Sequence, residues 1–374
     1  FAGVAFSANP FVLGSPGQPI SVTYSLTATA ILSRFAPSIE QSKGKSMPMK
    51  SFTLVVCATS LFAGALTIFA PLPAMAQERA ESKAPATQPI PFIVEEHIVK
   101  KISDHVYEIP DRNRPGVPNI AIVVGSRAAL VLDTGMGQKS GEIVVREVQR
   151  LTKTTELYLT TSDFRPEHVT GAQAFPPNTI WIVPEAQRED IHESTLKYIA
   201  AFSSRSPDLA SALSEIKLRE PSIVFSRDVK LDLGGVTVRL MWFGPARTNG
   251  DLILFVPEDG VLHSGNFLGS KSYPGMPDEI PSVTNWLDIL DKMDALKPRI
   301  VIPNHGDVRD GTLIAGTREV LRDLQFRTRD LKAEGKTEEQ AGQILTAEFD
   351  VKYPEWKGLG AIPAIVRRFY EETK

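Results

Sequence analysis

From residue 91 onward, short apolar runs alternate with longer segments in which apolar side chains recur every third or fourth position. The runs at 92–94, 106–109, 120–124, 129–132, 157–159 and 180–183 are rich in Val, Ile and Leu and bounded by turn-forming residues, and they predict strands. Gly125-Ser126, between two of them, marks a hairpin turn. Val144, Val145, Val148 and Leu151 share a face and predict a helix over 140–151. A short helix is expected from Gly171, and a longer one over 185–202. A second β-rich block opens at 223–225. It continues through strands at 236–243, 251–256 and 260–263, with a turn at Asp232-Leu233-Gly234-Gly235 and a hairpin turn at Pro257-Glu258-Asp259-Gly260. A helix over 286–296 and a strand over 300–302 follow. The tail from Gly311 is mostly helical. Leu321, Leu324 and Phe326 belong to one helix, Gly335 breaks it, Thr337 caps the next, and 362–370 forms a last amphipathic helix. Two β-rich blocks, each with its own helices, predict two sheets packed face to face and covered outside by helices.

The first ninety residues follow a different pattern. Residues 1–46 carry few charges and scattered Ser, Pro and Ala, and are set apart as a non-native or disordered upstream segment. Residues 47–76 have the form of a signal peptide: Lys50, an apolar core over 52–69, and Pro73-Ala74-Met75-Ala76 as an A-x-A cleavage site. The competing assignment is a membrane-spanning anchor, since the apolar run is near the length limit. Residues 77–90 form a polar, proline-bearing leader. The expectation is an exported, periplasmic or secreted protein with no membrane attachment after cleavage.

Composition narrows the class further. The chain has 374 residues, 42% hydrophobic and 23% charged, which is ordinary for a globular protein. A net charge of −3 gives no basic footprint for nucleic acid. A single cysteine, Cys57, excludes an intrachain disulfide. Oligomeric state is not encoded in any of these features.

Candidate chemistry concentrates in Thr161-Ser162-Asp163-Phe164-Arg165-Pro166-Glu167-His168, directly after the strand Leu157-Tyr158-Leu159. Ionisable side chains crowded at the carboxyl end of a strand mark the usual ligand position of an α/β sheet. The stretch resembles the metal-binding signature of the metallo-β-lactamase superfamily, T-H-x-H-x-[DE]-H followed by a glycine. Four further landmarks resemble that family in order: Leu132-Asp133-Thr134-Gly135, Gly244-Pro245-Ala246-Arg247-Thr248-Asn249-Gly250-Asp251, His263-Ser264-Gly265-Asn266, and Pro303-Asn304-His305-Gly306. The resemblance implies a four-layer αββα sandwich over 91–312 with a helical C-terminal extension over 313–374 packed on it.

The resemblance also implies which positions would bind metal. Asp163, Arg165 and Arg247 stand where one metal has three histidine ligands. Glu167, His168, Asn266 and His305 stand around the second, with Asn266 in place of a bridging aspartate. A guanidinium offers no lone pair and stays protonated. The expectation is therefore that the zinc pair is absent and no cofactor is needed; the alternative is one zinc on Glu167, His168 and His305. Without zinc, Arg165, Arg247 and Asn266 would bind a small anionic molecule, and Asp163, Glu167, His168 and His305 are the candidate catalytic groups. The leading function is a hydrolase-type enzyme; the competing one is a non-catalytic binding or structural protein whose ion pairs merely fill the pocket. Asp133 and Asp251 are expected to hold loops, His263 to pack, His97, His105 and His192 to be surface or structural, and Arg367-Arg368 to form a solvated helix face.

Overall fold

A computed structural model describes residues 92–273 and 281–373. They fall within one compact unit, Glu81–Lys374. The expected signal peptide and leader lie outside the described residues.

The first half builds β1 (Lys100–Lys101), β2 (Val106–Ile109), β3 (Ile120–Val124), β4 (Ala128–Leu132), α1 (Gly137–Leu151), β5 (Glu156–Thr160), α2 (Pro166–Val169), β6 (Ile180–Pro184), α3 (Glu185–Ser203), α4 (Pro207–Ala212) and β7 (Ile223–Phe225). The second builds β8 (Asp228–Asp232), β9 (Thr237–Met241), β10 (Ile253–Val256), β11 (Val261–His263), α5 (Val283–Ala295), β12 (Ile300–Ile302), α6 (Thr312–Ala333), α7 (Glu338–Lys352) and α8 (Ile362–Glu372). Strands β1 to β7 form one sheet in sequence order; the other runs β12-β11-β10-β9-β8. Each sheet joins antiparallel meanders to parallel strands, β4-β5-β6-β7 in one and β11-β12 in the other.

Strands β3, β4, β10 and β11 are buried on both faces, and the period of two sorts their side chains. In β3 and β4, Ala121, Val123, Leu130 and Leu132 meet Val238, Leu240, Leu254 and Val256 between the sheets. Their neighbours Ile120, Ile122, Ala129 and Val131 face Val144 and Val148 of α1 and Ile191 of α3. On the far side, Met241, Ile253, Phe255, Leu262 and Val301 pack against Trp286 and Leu290 of α5 and against α6, α7 and α8. The order is helix, sheet, sheet, helix, with the C-terminal helices sharing the second outer core. Truncating a fully buried member such as Leu130 would cost about 2–5 kcal/mol. Thr337 caps α7 in a reciprocal box with Gln340.

Some expectations need correction. Residues 92–94 form a turn rather than a strand, because Phe92 has a φ of 65°, which an extended strand cannot contain. The expected strand over 251–256 begins only at Ile253, because Asp251 holds the preceding loop, and α5 begins three residues before 286, where the Ser282 hydroxyl accepts from Asn285 N.

Candidate functional site

Both sheets present the carboxyl ends of their parallel strands to the same region. Leu132 leads into Asp133, Thr160 into the 161–165 loop, His263 into Asn266, and Ile302 into Asn304 and His305. Asp133 anchors this end. Its backbone has a φ of 72°, a conformation L-residues rarely adopt, and hydrogen bonds hold it there. Asp133 Oδ1 accepts from Ser162 N at 2.7 Å; Oδ2 accepts from Ser162 Oγ at 2.9 Å and lies 3.0 Å from His168 Nδ1. Asn304 Nδ2 donates to Ser162 Oγ at 2.9 Å and Asn266 Nδ2 to Asp163 Oδ2 at 3.0 Å, so all four strand ends are tied through the loop.

The loop is secured from behind by α3. Gln187 is fully buried; its Nε2 donates to the carbonyls of Thr161 (2.9 Å) and Gly250 (2.8 Å), and its Oε1 accepts from Thr161 Oγ1 at 2.6 Å. A side chain on Gly250 would come within 2.2 Å of Gln187 Cα, so glycine is required for this approach. Thr195 Oγ1 donates to the Phe164 carbonyl at 3.0 Å. Neither Gln187 nor Thr195 was marked by the sequence pattern; the inward face of α3 mixes them with Asp190, Ile191 and Phe202.

The structure brings six of the seven sequence-predicted site residues into one cluster. Arg165 lies against Asp163, with Nε at 3.1 Å and Nη2 at 2.9 Å from Oδ2, and Arg165 N donates to Asp163 Oδ1 at 2.9 Å. Arg247 Nη1 lies 3.8 Å from Asp163 Oδ2 and 3.9 Å from Asp251 Oδ1, with its guanidinium 5.9 Å from the centre of the Trp286 ring. Glu167 Oε1 lies 3.8 Å from Arg165 Nε and 3.6 Å from His168 Nε2. Asn266 Nδ2 lies 3.0 Å from both Asp163 Oδ2 and His168 Nε2. The second contact needs a bare ring nitrogen on His168, since turning the amide over would set its oxygen against the Asp163 carboxylate. His305 stands apart: its ring centre is 6.4 Å from that of His168, its Nδ1 meets the Val117 carbonyl at 3.0 Å, and 40% of its side chain is exposed.

Burial and charge set the electrostatics. Asp163, His168 and Arg247 expose no side-chain surface, and Arg165 and Glu167 keep 9% and 6%. Burial works against ionising Asp163, but Arg165, His168 and Arg247 outweigh it and hold the carboxyl well below the usual carboxylate range. Burial likewise opposes charge on Arg165, and Asp163 and Glu167 more than offset it. For His168, burial is overcome by Asp163 and Asp133, which push it up to about 9, while the Asn266 amide nitrogen beside Nε2 favours the neutral ring. Burial and the neighbouring Arg165 pull Arg247 down to about 10, leaving it charged. Burial raises Asp251 to about 7 against the pull of Arg247. Asp133 and Asp251 hold loops as expected; Asp251 Oδ2 accepts from Thr248 N at 2.6 Å. His263 is packed and neutral, with burial lowering it to about 4. Among the described residues, no group of three His, Cys, Asp or Glu side chains converges as metal ligands.

A cleft of about 660 Å³ opens beside the cluster, walled by α3, the β9–β10 loop and α8. Arg247 stands behind its wall without exposed surface. Arg367 and Arg368 both face this cleft, so they are more than a solvated helix face. Arg368 is engaged with Glu371, Glu372 and the Pro281 carbonyl, whereas Arg367 is exposed.

No protein-family profile and no curated protein matches the chain. Solved structures do. The stereoselective inverting sec-alkylsulfatase Pisa1 from Pseudomonas sp. superposes with a TM-score of 0.57 at 13% identity, over 74% of this chain and 50% of that one. A double mutant of the same enzyme gives 0.58 at 12% identity. A metallo-β-lactamase from Pontibacter korlensis gives 0.46 at 16% identity, over 60% of this chain and 98% of that one. The chain thus spans about half the length of the alkylsulfatase it matches. Two sheets of parallel and antiparallel strands, helices on both outer faces and the loops converging at the strand ends together give the chain the metallo-β-lactamase-like fold, with a helical C-terminal extension.

Proposed function

We propose that this is an exported protein of hydrolase type that works without a zinc pair, and that two guanidiniums supply positive charge where the fold's metal would lie. The observation that carries this is the Asp163–Arg165–Arg247 group at the strand ends. Zinc takes imidazole, thiolate or carboxylate donors, and the positions of one whole ion carry an aspartate and two guanidiniums. A divalent ion placed within about 4–6 Å of two such cations would be repelled by several kcal/mol in a partly dry site. A single zinc on Glu167, His168 and His305 fits poorly as well. The Nε2 of His168 faces the Asn266 amide nitrogen, and the two imidazoles are 6.4 Å apart between centres.

The ligand would be a small anion meeting the exposed edge of Arg165. Glu167 and His305 are the groups able to touch water there, and either could take a proton from it. His168, fully enclosed with both ring nitrogens engaged, and Asp163, bound by two cations, would hold Arg165 and Asn266 in place rather than act as bases. One observation favours the non-catalytic alternative: both guanidiniums are already balanced by carboxylates within the cluster. Calorimetric titration with sulfate, phosphate and acetate separates the two. Saturable binding that Arg165→Ala abolishes supports the anion site; the absence of any saturable anion binding leaves the structural cluster as the answer.

A further inference from the structure

The cleft between α3 and α8 carries features that the ion cluster does not use. At its base, Asp190 is 7% exposed; Asn249 Nδ2 donates to its Oδ1 at 2.8 Å, while Oδ2 has no hydrogen-bond partner among the described residues. A buried carboxylate oxygen without a donor is costly and calls for one from outside the chain. The rim is opposite in character. Lys197 on α3 and Arg367 on α8 are both exposed, and neither has an ion pair among the described residues, whereas Arg368 is neutralised by Glu371 and Glu372. The Phe164 and Tyr198 rings also line the cleft, edge to face with centres 5.1 Å apart.

We infer that this cleft binds a short peptide with free termini, its ammonium on Asp190, its carboxylate between Lys197 and Arg367, and an apolar side chain against Phe164 and Tyr198. The helix sets the length. Asp190 and Lys197 are seven residues apart on α3, about 10 Å along the axis. With the reach of the lysine, the ligand's charged ends must be roughly 5–10 Å apart. A free amino acid is too short, and a di- or tripeptide fits both that span and a cleft of about 660 Å³. The assignment does not rest on the Arg165 anion site, because none of its contacts passes through Arg165, Glu167 or His305.

The test is calorimetric titration of the full chain with alanylphenylalanine, its N-acetyl form and its C-terminal amide. The free dipeptide should bind at least about tenfold more tightly than either capped form, since each cap removes one charge-assisted contact. Asp190→Asn should remove the preference over the acetylated form. Arg367→Ala, on an exposed position of another helix, should remove the preference over the amide and leave the melting temperature unchanged. Equal affinity for all three ligands, no saturable binding of any of them, or an unaltered preference in Arg367→Ala would overturn the assignment. Arg165→Ala should leave dipeptide binding intact; loss of anion binding alone in that variant separates the two sites.

Discussion

Two buried carboxylates beside one helix experience opposite fates. Asp163, in the sealed cluster, has two guanidiniums and an amide around it and is held strongly ionised. Asp190, lining the open cleft, has no cation beside it, and burial raises it to about 6 against the pull of the Asn249 side chain and of the Asn249 and Gly250 backbone amides. The chain spends its internal cations on the first and leaves the second to the outside. A charge satisfied from within stabilises the fold and offers little to a ligand. A charge left unsatisfied destabilises the fold and is available to bind.

The largest expected effect comes from breaking the sealed side. Asp163→Asn leaves Arg165 and Arg247 short of their shared counter-charge and should cost about 3–5 kcal/mol in urea denaturation. Replacing Asp163 and Arg165 together by leucine should recover part of that loss, because it removes one of the two cations that Asp163→Asn leaves uncompensated, while Arg247 keeps only Asp251. Recovery no better than the single change would mean that the pair does more than balance charge.

The open side predicts a pH effect of opposite sign. Asp190 is raised in the folded state, so folding takes up a proton between the unfolded value, near 3.8, and about 6. Its contribution is most favourable below that window and declines as pH rises through it, by roughly 1–3 kcal/mol. Asp163 is lowered, so its contribution is present at neutral pH and disappears only on strong acidification. Asp190→Asn should therefore gain stability relative to the parent between pH 4 and pH 7; a parallel pair of stability–pH curves would contradict this.

Gln187 lies between the two regions. Gln187→Leu leaves the Thr161 and Gly250 carbonyls without their donor and should cost about 1–3 kcal/mol while leaving the strands intact by circular dichroism. The smallest effect belongs to the rim: Lys197→Ala and Arg367→Ala should each change stability by less than about 0.5 kcal/mol.

These contrasts also show what sequence could reveal. The strands were legible because Val, Ile and Leu run together where both faces of a sheet are buried. β8 was missed because Asp228, Lys230 and Asp232 alternate with Val229 and Leu231 on a half-exposed strand that closes the sheet edge. The site positions were legible because Asp133, Asp163, Asn266 and His305 each follow a strand end. Their burial was not. Whether a guanidinium faces solvent or a carboxylate depends on contacts between residues some eighty positions apart, such as Arg247 with Asp163. The role of α3 was hidden for a related reason: Gln187, Asp190 and Thr195 point inward beside Ile191 and Phe202, and polar side chains on a buried face leave no mark in a hydrophobic period.

The central claim is that positive charge from side chains has replaced bound metal. Its most direct test is a thermal melt of chelator-treated protein with and without one equivalent of zinc, together with elemental analysis of the re-isolated chain. The account predicts superimposable melts and no retained zinc, since an ion that does not bind the folded state cannot stabilise it. A raised melting temperature with stoichiometric zinc, both lost in His168→Ala, would contradict it.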